Sequence, residues 1–123
     1  MRQIRSKDTK PELAVRRLVH RLGYRFRLHR RDLPGSPDLV FPGRRKVIFV
    51  HGCFWHQHPN PGCRDARAPR SNGDYWKPKL ARTAVRDAEA EQELRTLGWD
   101  VLTIWECELN RDDLSDRLRA FLN

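Results

Sequence analysis

The feature that most constrains the fold is the apolar run from Val47 to Val50, which Gly52 follows closely. A run this short, rich in β-branched residues and followed by glycine, predicts a buried strand rather than a helix. The segment His51–His58 leaves this strand with three histidines, one cysteine and two large aromatic residues in eight positions. Such crowding of reactive side chains at a strand end predicts the rim of an active site, with a metal-binding loop beside it.

The flanking segments predict an α/β fold. A first helix begins near Thr9, an N-cap residue, with Pro11 in its first turn, and ends at Gly23. The other predicted elements are strands over Tyr24–Leu28, Asp38–Phe41 and Asp100–Trp105, a helix over Tyr75–Leu97, and a last helix capped near Asp112 or Asp113. The second and third strands form a hairpin. A helix connects the third and fourth strands, which are therefore parallel, so the predicted sheet is mixed.

The length of 123 residues predicts one domain, over 9–123, preceded by a basic arm over residues 1–8. Lys and Arg total 25 against 16 Asp and Glu, a net charge of +9. A basic field of this size favours a polyanion, with nucleic acid as the first expectation. The alternative to a nucleic-acid-binding enzyme is a ribosome-associated protein, or a soluble basic protein whose charge has no specific partner.

Neither a membrane span nor a signal peptide is visible, because no apolar run approaches the roughly 20 residues of a span and the N-terminus lacks an apolar core. We therefore expect a cytosolic, nucleoid-associated protein with no membrane partner. The chain has three cysteines, an odd number, and a reducing compartment also argues against a disulfide framework.

The cysteines instead predict a structural zinc site. Cys53, His58 and Cys63 are evenly spaced, and Cys107 follows the fourth strand, whose end should lie beside the end of the third. Three thiolates and one imidazole satisfy the tetrahedral preference of zinc. The alternative is that Cys53 and Cys107 are small core residues and His58 lies at the surface.

Pro37-Asp38 at the start of one strand, beside a hydrophobic strand that ends in polar chemistry, resembles the core of PD-(D/E)xK nucleases. Such enzymes hold magnesium with carboxylates and activate water against a phosphodiester. Where that motif has an acid and a lysine, this chain has Phe49-Val50-His51. Asp38 would then bind the ion, helped by a main-chain carbonyl and waters.

Histidines and one helix acid complete the predicted catalytic set. His51 and His56 are candidates for proton transfer and phosphate contact, because imidazole titrates near neutral pH. Glu12 would orient a metal-bound water or a histidine. Each residue also has an interpretation without a catalytic role. Asp38 would be a turn residue, Glu12 a first-turn acid matched to the helix dipole, and His51 a buried histidine whose ring nitrogens have hydrogen-bond partners.

The assembled motifs resemble one family, the very-short-patch-repair (Vsr) DNA mismatch endonucleases. The matching stretches run through the chain in order: 2–12, 33–38, 49–56, 61–63, 75–76, 97–99 and 105–107. The resemblance implies a restriction-endonuclease-like domain that nicks double-stranded DNA 5′ to the thymine of a T·G mismatch. Such a mismatch arises when 5-methylcytosine deaminates, and its nicking starts very short patch repair.

The resemblance also implies roles for individual residues. Asp38 and the carbonyl of Val50 would bind magnesium, with His51, His56 and Glu12 serving the hydrolysis. Structural zinc would be bound by Cys53, His58, Cys63 and Cys107. An aromatic wedge entering the duplex would consist of Phe54, Trp55 and Trp76, and the arm carrying Met1 would clamp the opposite groove. Inserting flat apolar groups unstacks a base step most easily at a mismatch. For Phe54 and Trp55, core packing is the alternative.

Two other functions remain open at this point. The first is a nickase of the same fold that serves host defence without mismatch specificity. The second is a zinc-stabilised nucleic-acid-binding module without catalysis, against which Asp38, His51 and His56 argue together. A monomer is expected, since a single mismatch offers no two-fold symmetry, with repair-pathway proteins as possible partners.

Overall fold

The computed structural model describes residues 9–28, 30–53, 56 and 73–123, apart from the side chains of Gly73, Asp74 and Trp76. The helices are α1 (Lys10–Arg21), α2 (Gly73–Thr96) and α3 (Leu114–Leu122), and the strands are β1 (Arg27–Leu28), β2 (Leu39–Phe41), β3 (Lys46–His51) and β4 (Asp100–Trp105). Short 3₁₀ turns cover Pro42–Arg44 and Glu106–Asn110. The predicted arm over residues 1–8 lies outside the described residues.

The strands form one mixed sheet in the order β1-β2-β3-β4. β1 pairs with β2 and β2 with β3 in antiparallel fashion, whereas β3 and β4 are parallel. The predicted hairpin and the predicted parallel pair are therefore both confirmed. His51 lies opposite Trp105 in this register, so the segments that follow β3 and β4 leave the sheet at the same edge.

Helix α1 forms where its capping residues predict it. The backbone N–H of Glu12 donates to Thr9 Oγ1 at 3.4 Å, and Pro11 occupies the first turn. Gly23 ends the helix at a φ of +95°, which an L side chain rarely adopts. Val15 and Val19 are buried against the sheet, one turn apart on the face that also carries Glu12.

Two apolar layers hold the sheet between the helices. One layer joins α1 and α3 to β2, β3 and β4, and it includes Ile48, Val50 and Ile104. The other includes Val47 and Phe49 from β3 and Leu94 from α2. Because side chains alternate along a strand, His51 shares its side of the sheet with the second layer and faces α2.

Three of the basic side chains make hydrogen bonds to the backbone within the fold. Arg44 Nη1 donates to the carbonyl of Leu122 at 2.8 Å, and Arg45 Nη2 donates to that of Leu97 at 2.8 Å. Lys46 Nζ binds the carbonyl of Phe121. These three consecutive residues thus donate hydrogen bonds to backbone carbonyls at the C-terminal ends of α2 and α3, where a helix offers no partner of its own. They lie at the start of β3, at the end of the sheet opposite to His51.

Three local predictions were imprecise. Tyr24–Leu28 was predicted as a strand, but only Arg27 and Leu28 pair with β2. Helix α2 begins at Gly73, two residues before its predicted start. The 3₁₀ turn after β4 was not predicted. None of the helices in the described ranges combines the length and apolar character that crossing a bilayer requires.

Candidate active site

The candidate site lies where β3 ends, with α1 on one side of the sheet and α2 on the other. Asp38 directly precedes β2, and its Oδ2 accepts a hydrogen bond of 2.7 Å from the backbone N–H of Val50. The β2–β3 hairpin thus places the Asp38 carboxylate beside the backbone of Val50, the residue that precedes His51. Asp38 and Val50, the two magnesium ligands that the family resemblance implies, are therefore adjacent.

The same register leaves the carbonyl of Val50 without a ladder partner from β2. Leu39 pairs with Ile48, so the residue facing Val50 is Pro37, which has no N–H to donate. In an antiparallel ladder a residue's N–H and C=O point to the same side. Since the Val50 N–H points to Asp38, its carbonyl oxygen points to that side as well. Carboxylate and carbonyl oxygens are the ligands that magnesium prefers, and the pair fits such an ion.

The charges around Asp38 also fit a cation. Burial raises the pKa of its carboxyl group to about 7, and the Val50 N–H partly opposes this rise. The negative charge of Glu12 raises the pKa further, whereas His56 and Arg16 lower it. Burial makes ionisation of a carboxyl group unfavourable, and a cation bound nearby would stabilise its ionised form. Glu12, predicted from sequence as a support of the site, therefore acts on Asp38.

Glu12 is buried on the sheet-facing side of α1. Its Oε2 forms an ion pair with Arg16 Nη2, one helical turn later, and the two side chains are only 2% and 16% exposed. Glu12 does lie in the first turn of α1, where its charge also suits the helix dipole, but a carboxylate this deeply buried is uncommon in that position.

The two histidines meet as predicted. The rings of His51 and His56 stack with centroids 3.8 Å apart and planes 8° from parallel. Burial lowers the pKa of His51 to about 4, as does the charge of His56, while Asp87 opposes the shift. His51 is therefore neutral at physiological pH. Its ring also packs edge-on against Trp105 at 5.2 Å, and its buried Nδ1 has no hydrogen-bond partner among the described residues.

Asp87 is the functional candidate that sequence reasoning missed. Its Oδ2 lies 2.6 Å from His56 Nδ1, within hydrogen-bonding distance. Asp87, on α2, helps to line a cavity of about 260 Å³ between that helix and the ends of β3 and β4. A signal was present in the sequence, because Ala84, Asp87, Ala88 and Glu91 share one helical face on which small residues flank an acid.

The predicted zinc ligands are only partly described. Cys53 and Cys107 each follow the paired residues His51 and Trp105 by two positions, so the crossover brings both cysteines to one edge of the sheet. Cys53 is buried and Cys107 half-buried. His58 and Cys63 lie outside the described residues, as do Met1, Phe54 and Trp55 of the predicted DNA contacts. The position of the Trp76 side chain is likewise not described.

Comparison with known proteins settles the family. The family model for the DNA mismatch endonuclease Vsr matches residues 1–61. A type II nicking enzyme of Xanthomonas oryzae pv. oryzae, V.XorIIP, is 55% identical over 124 aligned residues, which cover 100% of this chain and 89% of that protein. The chain belongs to the Vsr family. The resemblance inferred from the sequence motifs is thereby confirmed, and the protein is an endonuclease by family.

Other Vsr-family relatives match over most of their length. The type II nicking enzyme V.NmeAIP of Neisseria meningitidis serogroup A is 40% identical, over 99% of this chain and 86% of its own. The DNA mismatch endonuclease Vsr of Escherichia coli K12 is 39% identical, over 94% of this chain and 73% of its own. The catalytic domain of the homing endonuclease I-Bth0305I shares the fold, with a TM-score of 0.60 at 20% identity over 93% of this chain and 94% of that domain.

Proposed function

We propose that this Vsr-family protein is a magnesium-dependent endonuclease that nicks double-stranded DNA 5′ to the thymine of a T·G mismatch. The observation that carries the proposal is that Asp38, bonded to the N–H of Val50, and the stacked imidazoles of His51 and His56 lie at the same end of β3, with Asp38 within electrostatic range of His56. The net charge of +9 suits a DNA substrate. We further propose that it acts as a monomer, in the cytosol and near the nucleoid.

Magnesium would be held by Asp38 and the carbonyl of Val50, with water completing its shell. When bound, it supplies positive charge that stabilises the developing negative charge on the phosphate. Glu12, paired with Arg16, lies within electrostatic range of Asp38 and would orient a water or a histidine of the site.

In this proposal the two histidines carry out the proton transfers. Because Asp87 occupies the Nδ1 side of His56, it favours the tautomer with the proton on Nδ1 and leaves Nε2 to exchange a proton with water or the leaving oxygen. His51 is neutral at physiological pH and is therefore able to accept a proton but not to donate one as an imidazolium. The stacked rings fix each other's planes, which restricts the direction of transfer.

DNA contacts are proposed for residues outside this geometry. Phe54, Trp55 and Trp76 would enter the duplex as a wedge, and the arm carrying Met1 would clamp the opposite groove. A mismatch lowers the cost of unstacking, so insertion itself would contribute to the choice of site.

A second candidate is a nicking enzyme that does not require the mismatch. The relatives from Xanthomonas and Neisseria are both named type II nicking enzymes, and these names support this second candidate. The two candidates share the catalytic residues and differ only in what directs the protein to its DNA.

A panel of end-labelled duplexes distinguishes these functions. Otherwise identical duplexes carry T·G, each other mismatch, or a perfect pair, and each is incubated with and without magnesium. We expect a nick 5′ to the thymine of T·G only, and only with magnesium, while Asp38→Asn serves as the inactive control. Equal nicking of all duplexes would establish the second candidate. Tight binding without any nicking would identify a non-catalytic nucleic-acid-binding module.

We also propose that Cys53, His58, Cys63 and Cys107 bind one structural zinc ion. The two cysteines placed at one sheet edge support this set, because a tetrahedral site there would fasten the segment after β3 to the sheet. Metal analysis of the purified protein should find about one zinc per chain. Slow removal by a chelator should lower the melting temperature, and added zinc should restore it. Active protein free of zinc would refute this site.

A further inference from the structure

The turn that precedes Asp38 approaches α2 more closely than a side chain would allow. In this turn the backbone N–H of Ser36 donates to the carbonyl of Leu33 at 3.1 Å, and Gly35 has a φ of +73°. A β-carbon on Gly35 would lie 2.7 Å from Cβ of Ala90 and 3.1 Å from the ring of Phe49. Carbon atoms in contact prefer separations of about 3.5–4.0 Å, so even one methyl group does not fit here.

Ala90 belongs to the face of α2 that packs on the sheet. Asp87, Ala90 and Leu94 are three and four residues apart in turn, so they lie on one side of the helix. Ala90 and Leu94 are buried, and Asp87 is half-buried where it reaches His56. The contact between Gly35 and Ala90 therefore lies about one helical turn from the bond between Asp87 and His56.

Phe49 links the same contact to the histidine pair. It precedes His51 by two residues on β3, so both side chains face α2, and their ring centroids are 5.5 Å apart. The Phe49 ring also lines, with Asp87, the cavity at the ends of β3 and β4. A methyl group on Gly35 would press on α2 through Ala90 and on this ring. Both displacements act on groups that hold the site together.

We propose that Gly35 is a positioning residue of the nuclease, whose lack of a side chain lets α2 come close enough to β3 for Asp87 to hold His56. The inference rests on the proposed function, since the position of Asp87 matters for nicking only if His56 transfers a proton. The bond from Asp87 Oδ2 to His56 Nδ1 is 2.6 Å long, and a shift of about 1 Å would break it. A misplacement of about 1 Å can lower a rate by roughly 10²-fold.

The test adds carbon atoms to this contact from either side. Gly35→Ala adds them from the turn, whereas Ala90→Val adds them from α2 and leaves the backbone of Gly35 unchanged. Gly23→Ala is the control for backbone strain, because Gly23 has a φ of +95° and a β-carbon there would meet nothing within 4 Å. Ala81→Gly is the control for a weakened helix, because Ala81 lies at an exposed position of α2.

We expect Gly35→Ala and Ala90→Val to lower the single-turnover nicking rate at saturating DNA by roughly 10–10²-fold, with unchanged DNA affinity. Gly35→Ala/Ala90→Gly should recover most of the rate, because the second change makes room for the methyl group. Gly35→Ala/Ala81→Gly should stay slow. Gly23→Ala should lower the melting temperature and keep the rate. In an Asp87→Asn background, Gly35→Ala should have little further effect, because the purpose of the contact is already lost.

Several results would overturn the inference. A wild-type rate in folded Ala90→Val would do so, even if Gly35→Ala did not fold. Equal rate losses in Gly35→Ala and Gly23→Ala, or no recovery with Ala90→Gly, would reduce the effect to backbone strain. A loss that adds to that of Asp87→Asn would mean that the turn acts on the site by another route. If Asp87→Asn itself nicked at the wild-type rate, the proposed proton transfer would be wrong. A slow Asp87→Asn beside a fast Gly35→Ala would refute this inference alone.

Discussion

Replacing Asp38 with asparagine abolishes nicking, with an expected fall of roughly 10³-fold or more in the single-turnover rate. Among the described residues, Asp38 is the carboxylate that adjoins the open carbonyl of Val50, and Glu12, the other acid of the site, is already paired with Arg16. Binding of duplex DNA should be retained, because the substitution removes a negative charge that repels phosphate. Measuring the nicking rate and the DNA affinity of the same preparation separates these two effects.

The same substitution should stabilise the metal-free protein at neutral pH. The Asp38 carboxyl group has a pKa of about 7 in the folded chain against an ordinary value of 3.8, so between these pH values the folded state holds a proton that the unfolded state has lost. Asp38 therefore makes the wild type less stable as the pH rises from about 4 to 7. The amide introduced by Asp38→Asn does not titrate, and the variant should be more stable by on the order of 1–3 kcal/mol at pH 7.5.

His51 acts in the opposite direction over nearly the same range. Its pKa falls from 6.5 to about 4 on folding, so the unfolded state binds the extra proton and stability rises with pH across that window. In the wild type the contributions of Asp38 and His51 partly cancel. Urea unfolding of Asp38→Asn without divalent ions should show free energy of unfolding rising between pH 4.5 and 6.5 more steeply than in the wild type.

An exposed aspartate from the preceding turn is the matched control. Asp32 is paired with Arg30 at the surface, which lowers the pKa of its carboxyl group rather than raising it. Asp32→Asn should leave nicking unchanged and show no gain in stability at neutral pH. If Asp38→Asn kept wild-type turnover, or if both variants gained stability equally, the assignment of Asp38 as the buried metal ligand would be wrong.

The fold was predictable because its signals are local. Thr9 and Gly23 mark the two ends of α1 by capping chemistry, and the run Val47–Val50 has no alternative to a buried strand. The parallel pairing of β3 and β4 followed from the length of the helix between them. Asp38 and His51 were predicted as neighbours because both lie at a strand boundary, where pairing rules fix what is adjacent.

The parts that escaped prediction depend on contacts between distant segments. Asp87 meets His56 across 31 positions of the chain. The helical face that carries Asp87 also carries Glu91, so the pattern alone does not specify which of these two acids reaches His56. Arg16 is four residues from Glu12, yet the low exposure of both side chains depends on how α1 packs against the sheet. Pro37 was recognised as part of a motif, but its effect on the Val50 carbonyl required the register of the hairpin.

The second large effect is expected from Asp87→Asn, which should lower the single-turnover nicking rate by roughly 10²–10⁴-fold, the usual contribution of proton transfer by a positioned side chain. The substitution keeps the size of the side chain and its reach to His56 Nδ1 at 2.6 Å. An amide that donates to Nδ1 would move the ring proton to Nε2, the atom that faces the reaction. His56 would then be in the wrong tautomer to accept a proton there.

Glu91 provides a control on the same helix. It lines the same cavity one turn further along α2, but its carboxylate is paired with Arg95 at 3.0 Å. Glu91→Gln should therefore retain nicking close to that of the wild type, while Asp87→Asn loses it with unchanged DNA affinity. His56→Ala should be as slow as Asp87→Asn, and the double variant no slower, because the two residues act as one unit. Losses that add up in the double variant would mean that Asp87 acts on the reaction independently of His56.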